Sequence, residues 1–192
     1  MREKLESEIG DLLLSEGVIR ERVRALGAEI RNAYAPGSFV LLGLLNGSLL
    51  FTADLLREVP PETEVVFWRV KSYRGTNSTG VCEGLEAEGG DFTGRAVLVV
   101  DDILDSGCTL QAVDKRLRIL GASSVEHCVL LAKRRPRLPG SPLPRWIGFE
   151  IPDRFVVGYG LDYNGRYRGL RSIRVLAEGR MAAGLGNRRT ES

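Results

Sequence analysis

The stretch Val97 to Leu110, VLVVDDILDSGCTL, decides how this chain is read. Val97, Leu98, Val99 and Val100 form a β-branched apolar run suited to a strand buried on both faces of a parallel sheet. Downstream, Leu110, Val113, Leu117 and Leu120 recur at helical spacing, and Gly121 stands where a helix would stop. The unit is strand, loop, helix. In such a unit the loop lies at the carboxyl end of the strand, and the next helix points unpaired N–H groups and its positive dipole end into the same crevice.

An anion fits that crevice. Ser106 and Thr109 add hydroxyl donors, and Gly107 lets the backbone approach closely. Asp101 and Asp102 would repel a phosphate but suit a sugar diol or hydrated Mg²⁺, since carboxylates are acceptors only. A phosphorylated sugar accounts for both halves. Two adjacent acids alone read as a solvated turn; the full string Asp-Asp-x-x-Asp-Ser-Gly-x-Thr says more.

The same alternation extends outward on both sides. Ile19, Val23, Leu26, Ile30 and Tyr34 mark an amphipathic helix ended by Pro36-Gly37. Phe39 to Leu45 reads as a strand, Asn46-Gly47-Ser48 as a turn, Leu49 to Val59 as a helix closed by Pro60-Pro61, and Val65 to Val70 as a strand. After the helix beyond Thr109, Val125 to Ala132 is again a strand. This repetition implies an α/β fold, a parallel sheet flanked by helices with ligand sites at the carboxyl ends of the strands. From Lys71 to Gly94 the chain is too long and polar for an ordinary connection. Residues 1–176 read as a single domain, and 177–192 as a tail with little apolar periodicity, expected to fray.

The totals set bounds. A chain of 192 residues, 43% hydrophobic, with net charge +2, suits one globular domain and gives no broad nucleic-acid footprint. Lys133, Arg134, Arg135 and Arg137 form a local basic cluster, by default a solvated loop. Cys82, Cys108 and Cys128 are widely spaced with no CxxC pair, which argues against a disulfide framework or structural zinc. No apolar run approaches the ~18 residues of a membrane span, and the amino terminus lacks a signal-peptide core. A soluble, cytoplasmic protein is expected.

The loop string resembles the phosphoribosyl pyrophosphate loop of type I phosphoribosyltransferases. WIGFEIPDRFVVGYGLDYNGRYRGLRSIRVL at 146–176 resembles the carboxyl-terminal region of hypoxanthine-guanine phosphoribosyltransferases, as do LLGLLNGSLLFTADLLREV at 41–59 and VKSYRGTNSTG at 70–80. The resemblance covers roughly residues 12–176. It implies the type I fold with a small hood formed by terminal segments. It also implies Mg²⁺-dependent transfer of phosphoribosyl from phosphoribosyl pyrophosphate to N9 of hypoxanthine or guanine, giving IMP or GMP and pyrophosphate.

Carried over residue by residue, the resemblance assigns Asp101 and Asp102 to the ribose hydroxyls, and Asp105, Ser106, Gly107, Cys108 and Thr109 to the 5-phosphate. Asn46 and Gly47 fall in the pyrophosphate turn, where the family commonly has Lys-Gly, often with a cis peptide. Arg168 contacts pyrophosphate, and Asp162 lies at a Mg²⁺ position on that side, with Asp101 and Asp102 as the other metal candidates. Asp105 is the general base beside purine N7, and Lys133 donates to the oxygen at purine position 6. Phe155 stacks on the base, the backbone at Val156 reads its edge, and Asp162 counts among the purine-binding residues as well as the metal candidates. Ser72 and Tyr73 match a Ser-Tyr pair that folds over the site as a lid. The partners implied are phosphoribosyl pyrophosphate and a 6-oxopurine, with no nucleic acid or membrane and a homodimer or homotetramer as the assembly.

Cys108 occupies an x position of the loop, where an inert small residue suffices, and His127 on its strand reads as structural. Alternatives from the sequence are a xanthine-preferring enzyme, a phosphoribosyltransferase-fold regulator binding RNA through the basic cluster, and a sugar-phosphate sensor without turnover.

Overall fold

The computed structural model describes residues 9–70, 85–86 and 89–177. Their main sheet has six strands: β2 (Phe39–Leu45), β3 (Glu64–Val70), β4 (Leu85–Glu86), β5 (Ala96–Leu104), β6 (Ser124–Lys133) and β7 (Trp146–Ile151), in the order β4-β3-β2-β5-β6-β7. All neighbours run parallel except β4, which pairs antiparallel with β3 through Arg69↔Glu86 and Val70↔Leu85. The helices are α1 (Glu16–Ala33), α2 (Leu49–Leu56) and α3 (Cys108–Ile119). A second, three-stranded sheet joins β1 (Leu12–Leu14), β9 (Ile173–Val175) and β8 (Val156–Val157) in that order, both pairs antiparallel. This is the expected hood, tying the beginning of the described chain to its end.

The period of two along the strands divides the core into two layers. Leu41, Leu98, Val100 and Leu130 pack against Ile19, Val23, Leu26 and Ile30 of α1 and Phe51 and Leu55 of α2. Val40, Leu42, Val97, Val99 and Val129 face the other way, onto Leu110, Val113 and Leu117 of α3, with Trp68 and Phe92. A β5 residue such as Leu98, wholly buried, is therefore worth about 2–5 kcal/mol against Ala.

Helix ends follow local chemistry. Ser15 caps α1, its hydroxyl accepting from the Val18 N–H. Past α3, Gly121 has φ of 82°, its N–H donates to Arg118 O, and the Ala122 N–H donates to Leu117 O, a Schellman close. Helix α2 is shorter than the expected 49–59: its last turn tightens to three-residue bonds from Arg57 and Glu58 to Asp54 and Leu55.

Three strands also depart from the sequence reading. Strand β5 does not stop at Val100: its ladder with β6 continues through Asp101↔Val129, Ile103↔Leu131 and Leu104↔Ala132, so Asp101 and Asp102 are strand residues rather than loop residues. The alternation read in the sequence ends at Ala132, and β7 adds a further parallel strand. The polar stretch 71–94 contains β4 as well as residues 71–84 and 87–88, which lie outside the described set. Cys128 is a buried thiol in β6.

Candidate active site

Because β2, β5 and β6 are parallel, their carboxyl ends at Leu45, Leu104 and Lys133 open on one edge of the sheet. The turn after β2 begins with a cis peptide between Leu45 and Asn46. Gly47 follows, and a Cβ there would lie 1.7 Å from Asp102 Oδ2. A Cβ on Gly160, whose φ is 99°, would lie 2.0 Å from the Gly47 carbonyl oxygen. Three chain segments thus meet at contacts that only glycine permits.

Asp101 is 7% exposed, and its Oδ1 accepts the Asp102 N–H at 2.9 Å. Burial first, and the neighbouring Asp102 charge second, push the Asp101 carboxyl well above the usual carboxylate range. Two carboxyls crowded at a buried strand end form a position where a cation or sugar hydroxyls would relieve the strain of charging both. Asp162 stands apart from them. Its Oδ2 accepts the Gly165 N–H at 2.7 Å, and its Oδ1 pairs with Arg168 Nη2 at 2.8 Å. Among the described residues no group of three or more His, Cys, Asp or Glu side chains could hold a metal. Asp101, Asp102 and Asp162 therefore do not form one cage, and a hydrated Mg²⁺ would take its remaining oxygens from substrate and water.

The bend from Asp105 to Gly107 leads into α3, with Gly107 in the left-handed region at φ of 85° as its cap residue. Ser106 Oγ accepts weakly from the Cys108 N–H at 3.5 Å. Thr109 occupies the first turn of α3. This loop is braced by a segment the sequence reading did not single out. The Leu138 N–H donates to Ser106 O at 2.9 Å, the Ser141 hydroxyl donates to Gly107 O at 3.3 Å, and Gln111 Nε2 donates to Pro139 O at 3.1 Å. The bend's backbone is thereby set before any anion arrives.

Opposite the loop, four charged side chains close a ring. Lys133 Nζ lies 3.4 Å from Asp105 Oδ2 and 3.2 Å from Asp153 Oδ1. Arg135 Nη1 lies 2.8 Å from Asp105 Oδ1 and 3.6 Å from Asp153 Oδ2. The Lys133 side chain is 12% exposed, so its expected default as a solvated loop lysine is set aside. Arg134 pairs with Glu150 at 3.5 Å. Much of the basic cluster is thus matched by acids, which leaves little positive surface for an RNA backbone. Arg135 and Asp153 were missed because they gain meaning only when two strand ends meet.

The segment after β7 completes the wall. Val156 is buried in β8, and the Phe155 ring meets Tyr163 edge-on, with centroids 5.7 Å apart. Arg168 donates from Nη1 to Gly160 O at 2.6 Å, and its charge is felt at Asp102. Ser72 and Tyr73 lie outside the described residues. The structure therefore brings Asn46, Gly47, Asp101, Asp102, Gly160 and Arg168 toward one place, with Asp105 and Lys133 in direct contact beside it.

Comparison with known proteins agrees with this geometry. The family described as Phosphoribosyl transferase domain matches residues 13–164. A hypoxanthine phosphoribosyltransferase of Haemophilus influenzae is 40% identical over 171 residues, covering 85% of this chain and 93% of that protein. A hypoxanthine-guanine phosphoribosyltransferase of Bacillus subtilis is 38% identical over 173 residues, covering 90% and 96%. The structure of a Trypanosoma cruzi hypoxanthine phosphoribosyltransferase with the product IMP superimposes with a TM-score of 0.83 at 33% identity, covering 94% of this chain and 97% of that one. With the strand-end acids, the Gly107-capped helix and the paired Asp105 and Lys133 on one edge of the same parallel sheet, the chain belongs to the hypoxanthine-guanine phosphoribosyltransferases of the phosphoribosyl transferase family.

Proposed function

We propose that the protein is a purine salvage enzyme that transfers phosphoribosyl from phosphoribosyl pyrophosphate to N9 of hypoxanthine or guanine, releasing pyrophosphate. One observation carries the base assignment: Lys133 Nζ and Asp105 Oδ2 lie 3.4 Å apart. A 6-oxopurine presents an acceptor, O6, beside a donor, the N7–H, on one edge. A lysine donor beside a carboxylate acceptor matches that edge group for group. Adenine would set its amine against Lys133 and leave buried donors unpaired.

In this reading N9 bonds to the anomeric carbon, the carbon–oxygen bond to pyrophosphate breaks, and the N7 proton passes to Asp105. The Ser106 to Thr109 turn holds the 5-phosphate at the start of α3, where the first-turn N–H groups have no partner within the helix. Asp101 and Asp102 hold the ribose hydroxyls, Asn46 and Gly47 line the pyrophosphate, and Arg168 supplies a cationic fork toward it. Phe155 covers the base. Mg²⁺, when bound, neutralises leaving-group charge; Asp101 and Asp102 on the ribose side and Asp162 on the pyrophosphate side would hold it. Ser72 and Tyr73 serve as lid residues that exclude water from the reacting sugar.

Purified protein with Mg²⁺ and phosphoribosyl pyrophosphate, offered hypoxanthine, guanine, xanthine and adenine separately, tests this. Turnover of hypoxanthine and guanine, abolished by EDTA and nearly absent with adenine, is expected. A preference for xanthine would replace the base assignment, and binding without turnover of any base would overturn the enzyme reading. We further propose a cytoplasmic homodimer or homotetramer, to be checked by light scattering. Among the described residues no helix is long and apolar enough to cross a membrane.

A further inference from the structure

The geometry points to Arg135 as the residue that positions Asp105 for proton acceptance. The inference rests on the proposed function, because it needs Asp105 to act on the purine.

Asp105 sits in the bend between β5 and α3 with 47% of its side chain exposed, and the contacts that orient its carboxylate come from Lys133 and Arg135. The shorter is Arg135 Nη1 to Oδ1 at 2.8 Å; Lys133 reaches Oδ2 at 3.4 Å and is shared with Asp153. When a 6-oxopurine arrives, Lys133 is drawn to O6, and its hold on Asp105 weakens. Arg135 then remains, keeping Oδ1 and leaving Oδ2 turned toward the base. A guanidinium can do this while still touching Asp153, since its donors are fixed in one plane.

The backbone explains why residues 133 and 135 reach the same carboxylates. The Arg135 N–H donates to Lys133 O at 3.0 Å, a tight turn directly after β6, and the Arg134 N–H donates to Ile151 O at 2.9 Å, anchoring the turn to β7. Pro136 follows and favours an extended residue before it. Lys133 therefore approaches the acids from the buried side and Arg135, 40% exposed, from the solvent side.

The test measures single-turnover rates, which exclude product release, for Arg135→Gln, Arg135→Lys, Asp105→Asn and Asp105→Asn with Arg135→Gln, alongside KM for phosphoribosyl pyrophosphate and thermal melts. Arg135→Gln is expected to slow the single-turnover rate roughly tenfold, a fraction of the 10²–10⁴ available from a base. KM for phosphoribosyl pyrophosphate and the melting temperature should hold, and Arg135→Lys should fall between Gln and the parent. In the Asp105→Asn background Arg135→Gln should cost nothing more. An unchanged rate in Arg135→Gln, or an equal loss in both backgrounds, overturns the inference and leaves the proposed function standing. Full turnover by Asp105→Asn overturns the assigned base, and the inference with it.

Discussion

Gly47 is pressed against Asp102: the position a side-chain carbon would take on Gly47 lies 1.7 Å from Asp102 Oδ2, and Gly160 closes on the far side of the same turn. The pyrophosphate turn and the ribose acids are therefore one packed unit.

Gly47→Ala should displace Asp102 or the turn and cut kcat/KM for phosphoribosyl pyrophosphate by roughly 10²-fold, the scale of a 1 Å misplacement. The neighbouring change Asn46→Ala, which leaves the packing alone, should cost less. Steady-state kinetics with varied phosphoribosyl pyrophosphate checks the order, and equal losses would count against the packing explanation.

Asp101 should trade stability for function. Its carboxyl is pushed up by burial and by Asp102, so in the native state it binds a proton more tightly than in the unfolded chain. A raised native value contributes stability that is present below the unfolded carboxylate range and lost as pH rises through the native value. Above the unfolded carboxylate range, burying this ionisable group is thus a cost that Asp101→Asn removes. That variant should melt a few degrees higher, about 2–4 °C per kcal/mol for a chain this long, while losing affinity for the sugar. Calorimetry with and without phosphoribosyl pyrophosphate separates the two effects.

Lys133→Gln should weaken discrimination against adenine. Loss of a charge-assisted bond to O6 is worth about 1.5–3 kcal/mol, or roughly 10–100-fold in kcat/KM for hypoxanthine, whereas the amide can turn its carbonyl oxygen to an amine. The ratio of hypoxanthine to adenine turnover is the readout; an unchanged ratio would remove Lys133 from base recognition.

His127 should make the fold acid-sensitive. It is 2% exposed, its Nε2 has no hydrogen-bond partner, and burial pulls its pKa down to about 4, with Asp114 at 3.9 Å opposing and Arg118 adding to the shift. A depressed native value means that the unfolded chain takes the proton first. Stability is therefore full above about pH 6.5 and falls as pH drops toward 4, by roughly 3 kcal/mol at 1.36 kcal/mol per pH unit. His127→Phe should flatten that part of the curve in urea titrations between pH 4 and 7.

Much of this was legible in the residues themselves. Val97 to Val100 had to be a buried strand, Leu110, Val113 and Leu117 had to lie on one helix face, and Gly121 had to stand where that helix stops. The strand and the helix face follow from periods of 2 and 3.6, and the stop at Gly121 from the missing Cβ of glycine, which are properties of neighbours in sequence. Helix α2 was drawn too long because three-residue bonds close it at Arg57 and Glu58, and strand β5 too short because the ladder to β6 carries it past Val100, and a ladder depends on a partner strand.

What the sequence alone determined was the parallel α/β fold, the family, and the residue types gathered at its strand ends. What only the tertiary structure decided was who touches whom: Arg135 on Asp105, Asp153 on Lys133, Ser141 under the Gly107 carbonyl, and Gly160 against Gly47. Those pairs are 20 to 113 residues apart in the chain, and only closing the parallel sheet and laying the hood over it brings them into contact.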